Sequence, residues 1–340
     1  LIYTVKIKPG VFYTDDPAFP GGKGREVVVG DLVYSLKRLF DPKALPEGAW
    51  LYQGRIKGLD EWKEAGSDYS KDVEGLKIID NYTLQINLTA PYPQLTYALV
   101  QPYAAFVPRE VVEHYGNQEF MTHPVGSGPF QLVSFTKKKA VFKKNPRYRE
   151  EIMDLDGYDE SIHGPYGVKR LEGRKIPFVN NVEINFMLEE GAWWNSFTKG
   201  DEVKSVILPI EQVKNVVETL SPLKLKPEYA DKYNARLIPE FEFRMIRFQM
   251  DNPEIGYNKD KKREARNHEL RCAIRDVYNW PEEIERFWNN LGIAFPGVLI
   301  PTMEGYDPNL SQDSVTLNVE GAKERLKNAG WNAGNLPVLT

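Results

Sequence analysis

Four histidines, His114, His123, His163 and His268, and one cysteine, Cys272, are the side chains in this 340-residue chain best suited to metal binding or nucleophilic attack. The histidines form no i, i+4 pair with one another and none has a glutamate at metalloprotease spacing. A single cysteine supplies neither a zinc motif nor an internal disulfide, so neither a metal site nor a cofactor is expected. Cys272 falls on a helical stripe of Leu270, Ala273, Ile274 and Val277, where it reads as a small residue near a core and not as a nucleophile. The paired acids Asp15-Asp16, Asp159-Glu160 and Glu189-Glu190 could supply an acid and a base. Adjacent residues on a strand face opposite ways, however, and these pairs read as solvated faces and caps.

Two glycine-rich stretches invite phosphate or hydrolase chemistry. "GGKGRE" at 21–26 lacks the spacing and the Lys-Ser/Thr end of a phosphate loop, and reads as a mobile hairpin tip. "PVGSGPFQL" at 124–132 lacks the third glycine of a dinucleotide fingerprint, and a strand follows Ser127 where a nucleophile elbow needs a helix. What remains is a bend: two glycines free to take positive φ, then a proline that fixes it.

The positive signal is aromatic: 7 Trp, 18 Tyr and 16 Phe, clustered in "AWWNSF" at 192–197 and beside charge in "FEFRMIRFQM" at 241–250. Read as a strand, the second stretch puts Glu242, Arg244, Ile246, Phe248 and Met250 on one face and Arg247 on the other with Phe241, Phe243, Met245 and Gln249. An arginine among apolar residues needs a partner or a ligand carboxylate, or else snorkels at a strand edge; the pattern alone leaves both open.

Elements must position these residues. The chain is 41% hydrophobic and 27% charged, with a formal net charge of −4, the balance of a globular protein without the basic field that nucleic acid or an anionic membrane requires. No window approaches eighteen consecutive apolar residues. Alternation predicts strands at 2–8, 82–88, 182–188, 203–208 and 236–250, and a hairpin across "FQLVSFT" and "KKAVFKKN". Apolar spacing and caps predict a helix from Gly30 or Asp31 to Asp41-Pro42, and others at 108–116, 191–199, 210–220, 269–279, from Pro281, and at 320–329 before Gly330. Residues 150–177 read as a polar surface excursion. Strand and helix alternate after residue 180, as in an α/β domain.

The order of "YTVKIKPGVFY", "DLVYSLKRLFDP", "VEGLKIIDNYTLQINLTAPYPQL", "PVGSGPFQLVSF" with "KKNPRYR", "FQMDNPEIG", "NHELRCAIRDVYN" and "AKERLKNAGW" resembles the bacterial extracellular solute-binding proteins of family 5, the receptors of peptide, dipeptide and nickel ABC importers. The resemblance runs over nearly all of the chain. It implies an α/β fold of the periplasmic-binding-protein class II type (cluster C), two lobes plus an extra peripheral domain, incomplete in this chain as an interior segment without the first strands and most of the second lobe. Residues 1–125 would be the peripheral α+β domain, 126–238 part of the first lobe, and 239–340 a hinge strand and the start of the second.

The same resemblance implies a receptor and not an enzyme, periplasmic or lipid-anchored on the outer face of the cytoplasmic membrane. It would be a monomer that closes over an oligopeptide or dipeptide in an interlobe cleft and delivers it to a membrane permease. The ligand-binding residues it points to are Gln101 and Tyr103 in "VQPYAAF", and Glu242, Arg244 and Arg247 on the crossing strand. A sugar, a nickel chelate or another small solute is the alternative cargo. A hydrolase is the alternative class, and it lacks a recognisable base and nucleophile.

Overall fold

Tyr3 and Val5 alternate with lysine and threonine, and this part of the chain forms strand β1 (Ile2–Lys6). β1 pairs antiparallel with β3 (Thr83–Asn87), which pairs antiparallel with β2 (Leu76–Asp80), so that Leu84 and Ile86 are fully buried at the middle of the sheet. The computed structural model describes residues 1–44, 47–200, 205–238 and 240–337 and divides into two compact units, Leu1–Met187 and Leu188–Thr340.

In the first unit the sheet packs on α1 (Val29–Arg38), α2 (Leu59–Glu64) and α3 (Leu95–Leu99) through Leu32, Leu36, Leu59, Trp62 and Leu95. α1 starts one residue before the predicted Gly30, because Asp31 caps from inside the first turn: the Val28 amide donates to Asp31 Oδ2 at 3.0 Å. Arg25, from the "GGKGRE" tip, donates to Asp31 at 2.6 Å and 2.9 Å and to Glu110 of α4 (Arg109–Phe120) at 2.6 Å and 2.9 Å. That tip is thereby clamped. α4 does not stop at Gly116 as its sequence predicts; Gly116 takes φ 76° and the helix resumes to Phe120. Val111 of α4 joins Tyr13, Phe19, Val27 and Val125 in a second small core.

β4 (Phe130–Phe135), β5 (Lys139–Lys144) and β6 (Asn181–Asn185) form an antiparallel sheet in that order, the hairpin and strand that the sequence predicts. The bend ahead of it works differently from the expectation, since neither Gly126 nor Gly128 takes positive φ. The buried Asn145 holds it instead, its Nδ2 donating to the Gly128 carbonyl and its amide to the Pro129 carbonyl, both at 2.9 Å. Residues 150–177 form an ordered excursion containing α5 (Glu160–His163). Its base is closed by the Ile152–Lys175 bridge, the Met153 amide on the Arg174 carbonyl at 2.9 Å and the Lys175–Glu150 ion pair at 3.0 Å.

The second unit holds α6 (Glu190–Lys199), α7 (Val213–Val216), β7 (Val217–Leu220), β8 (Leu223–Leu225), α8 (Pro227–Ala230), α9 (Lys261–Asp276), α10 (Trp280–Trp288) and α11 (Val319–Asn328). The helix predicted at 210–220 is a correction. It lasts one turn each of 3-10 and α-helix, and the β-branched residues Val217 and Thr219 then enter a hairpin with β8. Of the strand predicted at 203–208, residues 203 and 204 lie outside the described residues and 205–208 form no strand. The alternating α/β order does not give parallel pairing among the described residues; every ladder is antiparallel.

α9 begins at Lys261, eight residues before the predicted start, with Asp260 accepting from the Arg263 amide at 2.9 Å; its first half carries charge and no apolar stripe to read. α9 and α11 are tied by polar contacts. Arg325 donates to Asp276 at 2.8 Å and to Glu269 at 2.9 Å, and Arg266 lies 4.2 Å from the Trp331 ring centre.

The strand predicted at 236–250 is the largest correction. Its described residues are irregular and mostly exposed, and no strand pairs with them. Alternation specifies which face each side chain takes, but a strand also needs a neighbour for its N–H and C=O groups.

Candidate functional site

Gln101 and Tyr103 sit at a corner that the first unit's core makes rigid. The Gln101 amide donates to the Ala98 carbonyl at 3.2 Å and its carbonyl accepts from Ala104 at 3.0 Å, which shapes the short 3-10 turn Pro102–Ala104. Ala98 is buried and its carbonyl also receives the Tyr52 hydroxyl at 2.8 Å. Gln101 points outward and Tyr103 is 37% exposed. One face of the Tyr103 ring lies on the backbone of Gly48, which has φ 85°; a Cβ there would overlap the ring. The corner therefore presents a fixed phenol and a free carboxamide.

Glu242, Arg244 and Arg247 belong to the second unit and are exposed. Although no ladder holds this segment, two side-chain contacts do. The Arg244 guanidinium lies 3.9 Å from the ring centre of Trp288, the last residue of α10, and Phe243 meets Phe295 edge-on at 6.4 Å. Arg244 Nε stands 3.9 Å from Glu242 Oε1, an ion pair beyond hydrogen-bond length. Arg247 reaches outward without sharing the Trp288 contact. Nothing in the sequence links Arg244 to Trp288, forty-odd residues later; an aromatic residue ending an amphipathic helix was the one available signal.

Other polar groups with chemical potential are structural or incomplete. Asp16 is a correction: it is buried and not solvated, taking His123 Nε2 at 2.8 Å, the Tyr115 hydroxyl at 3.2 Å and the Ala18 amide at 2.9 Å. Asp15 accepts from Arg147 at 2.6 Å, which holds its carboxyl below the usual range. Cys272 stands 3.8 Å from His268 Nε2, one helical turn away, and both are at least partly exposed. Glu269 and Glu110 lie below the ordinary carboxylate range because Arg325 and Arg25 donate to them. Among the described residues no three His, Cys, Asp or Glu side chains gather as a metal ion would need, and no helix is long and apolar enough to cross a membrane. The flagged "AWWNSF" stretch contributes Trp194 and Phe197 to a half-buried aromatic group with Tyr229 and Tyr233, neighbouring ring centres being 4.8 Å to 6.3 Å apart.

Known proteins match the chain along its length. The family model described as bacterial extracellular solute-binding proteins, family 5 Middle, matches residues 1–340. The periplasmic oligopeptide-binding protein OppA of Salmonella typhimurium is 33% identical over 130 residues, 37% of this chain and 23% of that protein. The glutathione-binding protein GsiB of Pectobacterium atrosepticum is 23% identical over the whole chain and 52% of its own length, so the chain spans about half of that relative. A crystal structure of a periplasmic oligopeptide-binding protein (oligopeptide ABC transporter, OppAIV) from Borrelia burgdorferi aligns over 100% of this chain and 57% of its own, with a TM-score of 0.60 and 20% identity. That likeness gives the fold, the mixed α/β class II type of periplasmic binding proteins. The chain belongs to the bacterial extracellular solute-binding proteins of family 5.

Proposed function

We propose that this chain is part of a substrate-binding receptor of a bacterial ABC importer that captures oligopeptides or dipeptides and releases them unaltered. The observation that carries the reading is the family match across residues 1–340, together with relatives named for peptide binding. In this reading the receptor works outside the cytoplasmic membrane, periplasmic or lipid-anchored, and hands its cargo to a membrane permease as a monomer. The division into a peripheral domain at 1–125, first-lobe residues at 126–238 and hinge with second-lobe residues at 239–340 is part of the same proposal.

Gln101, Tyr103, Glu242, Arg244 and Arg247 are the proposed ligand contacts. A carboxamide and a phenol on a rigid corner suit main-chain hydrogen bonds, and the exposed charges suit the ends of a peptide. Micromolar capture corresponds to about −8 kcal/mol, within reach of a few charge-assisted bonds and aromatic contact without covalent chemistry.

Native mass spectrometry of the purified full-length protein, followed by incubation with a defined peptide mixture, tests the reading. Co-purified or added peptides that bind, raise the melting temperature and keep their masses support it. Cleaved peptides would point to a hydrolase. Binding only of a sugar or a nickel chelate would transfer the receptor reading to that cargo; the aromatic content suits a sugar as well as a peptide.

A further inference from the structure

We infer that Trp288 positions Arg244 to receive a carboxylate of the ligand, making the pair a determinant of specificity for acids; the inference rests on the receptor reading above. The Arg244 guanidinium lies over the indole, its central carbon 3.9 Å from the ring centre, and its side chain is 62% exposed. A guanidinium bonds anions through the N–H groups of its edge, so stacking leaves that edge available. It also removes much of the side-chain freedom that an exposed arginine would otherwise lose on binding.

Trp288 is itself held. It is half-buried at the end of α10, whose start is capped by Asn279, and the following Asn289 turns the chain with φ 48° while its Nδ2 donates to the Ile210 carbonyl at 2.6 Å. Phe243 meeting Phe295 fixes the residue before Arg244. Glu242 is the competing anion, but at 3.9 Å from Nε it makes no hydrogen bond with Arg244, and both side chains are mostly exposed, 67% and 62%. A stacked cation with an open edge and a loosely held counter-ion suits a planar carboxylate, whether a peptide's C-terminus or an acidic side chain.

Isothermal titration of the full-length protein separates these sources with three probes: trialanine with a free C-terminus, trialanine amide, and alanyl-aspartyl-alanine amide. The wild type is expected to bind at least one carboxylate-bearing probe about tenfold more tightly than trialanine amide, the reference without a carboxylate. Trp288→Leu is expected to remove about fivefold of that preference, with binding of trialanine amide kept within twofold, and Trp288→Phe to restore most of it. Arg244→Gln, at an exposed position, is expected to abolish the preference and checks the result should the tryptophan variants fold poorly. Equal affinity of the wild type for acids and amide overturns the inference and leaves a peptide receptor standing, as does a Trp288→Leu variant weakened equally for all three. If no probe binds the wild type, the peptide reading of the cargo falls and this inference with it.

Discussion

Each of the two units owes its internal cohesion to different physics. In Leu1–Met187 a continuous core runs from α1 through the first sheet to α3, and Leu36, Tyr52, Ile56, Leu59, Leu84, Ile86 and Leu95 are sealed from water. Among the described residues of Leu188–Thr340 the buried apolar side chains are few: Val213 and Val216 of α7, Leu270 and Ala273 of α9, Ala322 of α11, Ile255 and Ile300. Ion pairs around the buried Asp276 and the Arg271–Glu264 contact at 2.7 Å do much of the joining there. Large apolar side chains such as Phe241, Phe287 and Ile293 remain more than 60% exposed in that unit. Burying hydrocarbon stabilises by area and resists local opening, whereas partly exposed ion pairs contribute less and are screened. The candidate residues Gln101 and Tyr103 thus stand on a stiff base, while Glu242, Arg244 and Arg247 ride on a segment pinned at two side chains, of the kind that opens locally at low cost.

The contrast can be broken by thermal or denaturant unfolding of variants in the full-length protein. Leu36→Ala, in the first core, is expected to lose about 3–5 kcal/mol through lost transfer energy and an unfilled cavity. Leu270→Ala, flanked by more exposed neighbours, is expected to lose about 2 kcal/mol, near the lower bound for such changes. Equal losses would mean that the second unit has a core as tight as the first. Asp276→Ala leaves Arg275 and Arg325 without their shared acceptor. Because both arginines are more than a third exposed, the expected loss is about 2 kcal/mol and not the larger cost of a fully buried pair.

Two smaller effects sharpen the picture. Gly48→Ala is expected to cost about 1–2 kcal/mol, since φ 85° strains any other residue and the new methyl displaces Tyr103. Peptide affinity should fall with it if Tyr103 is a ligand contact, and an unchanged affinity would remove Tyr103 from the site. The weakest effect is on pH. Glu110 and Glu269 have their folded-state carboxyls held down by arginine, so the folded protein binds fewer protons than the unfolded chain. Their contribution is present above the unfolded value of about 4.3 and is lost as pH falls through the lower folded values. Melting temperatures of the wild type should fall between about pH 5 and pH 3, and the double variant Glu110→Gln with Glu269→Gln should show a shallower fall over that window.

Much of the first unit was legible because its elements carry their own signals. "YTLQINL" alternates cleanly, and it became β3 because β1 and β2 lie on both sides of it. α1 combined an apolar stripe with an Asp-Pro stop. The start of α9 and the end of the predicted 210–220 helix were not legible. Charged helical turns lack an apolar period, and a valine run is compatible with either state until a neighbour pairs with it. The same holds for the candidate site. The stretch "FEFRMIRFQM" stood out by composition, but its contact with Trp288 came from packing.

Single elements such as α1 and β3, the family and the absence of a zinc or dinucleotide motif were determined by the chain itself, because they depend on local spacing and on the sequence of segments. The tertiary structure decided which acids are buried, that Asn145 and not positive φ holds the 126–129 bend, that 241–250 lacks a pairing strand, and that Arg244 rests on an indole. Each of those outcomes needs a partner distant in sequence, and no local pattern encodes where such a partner will stand.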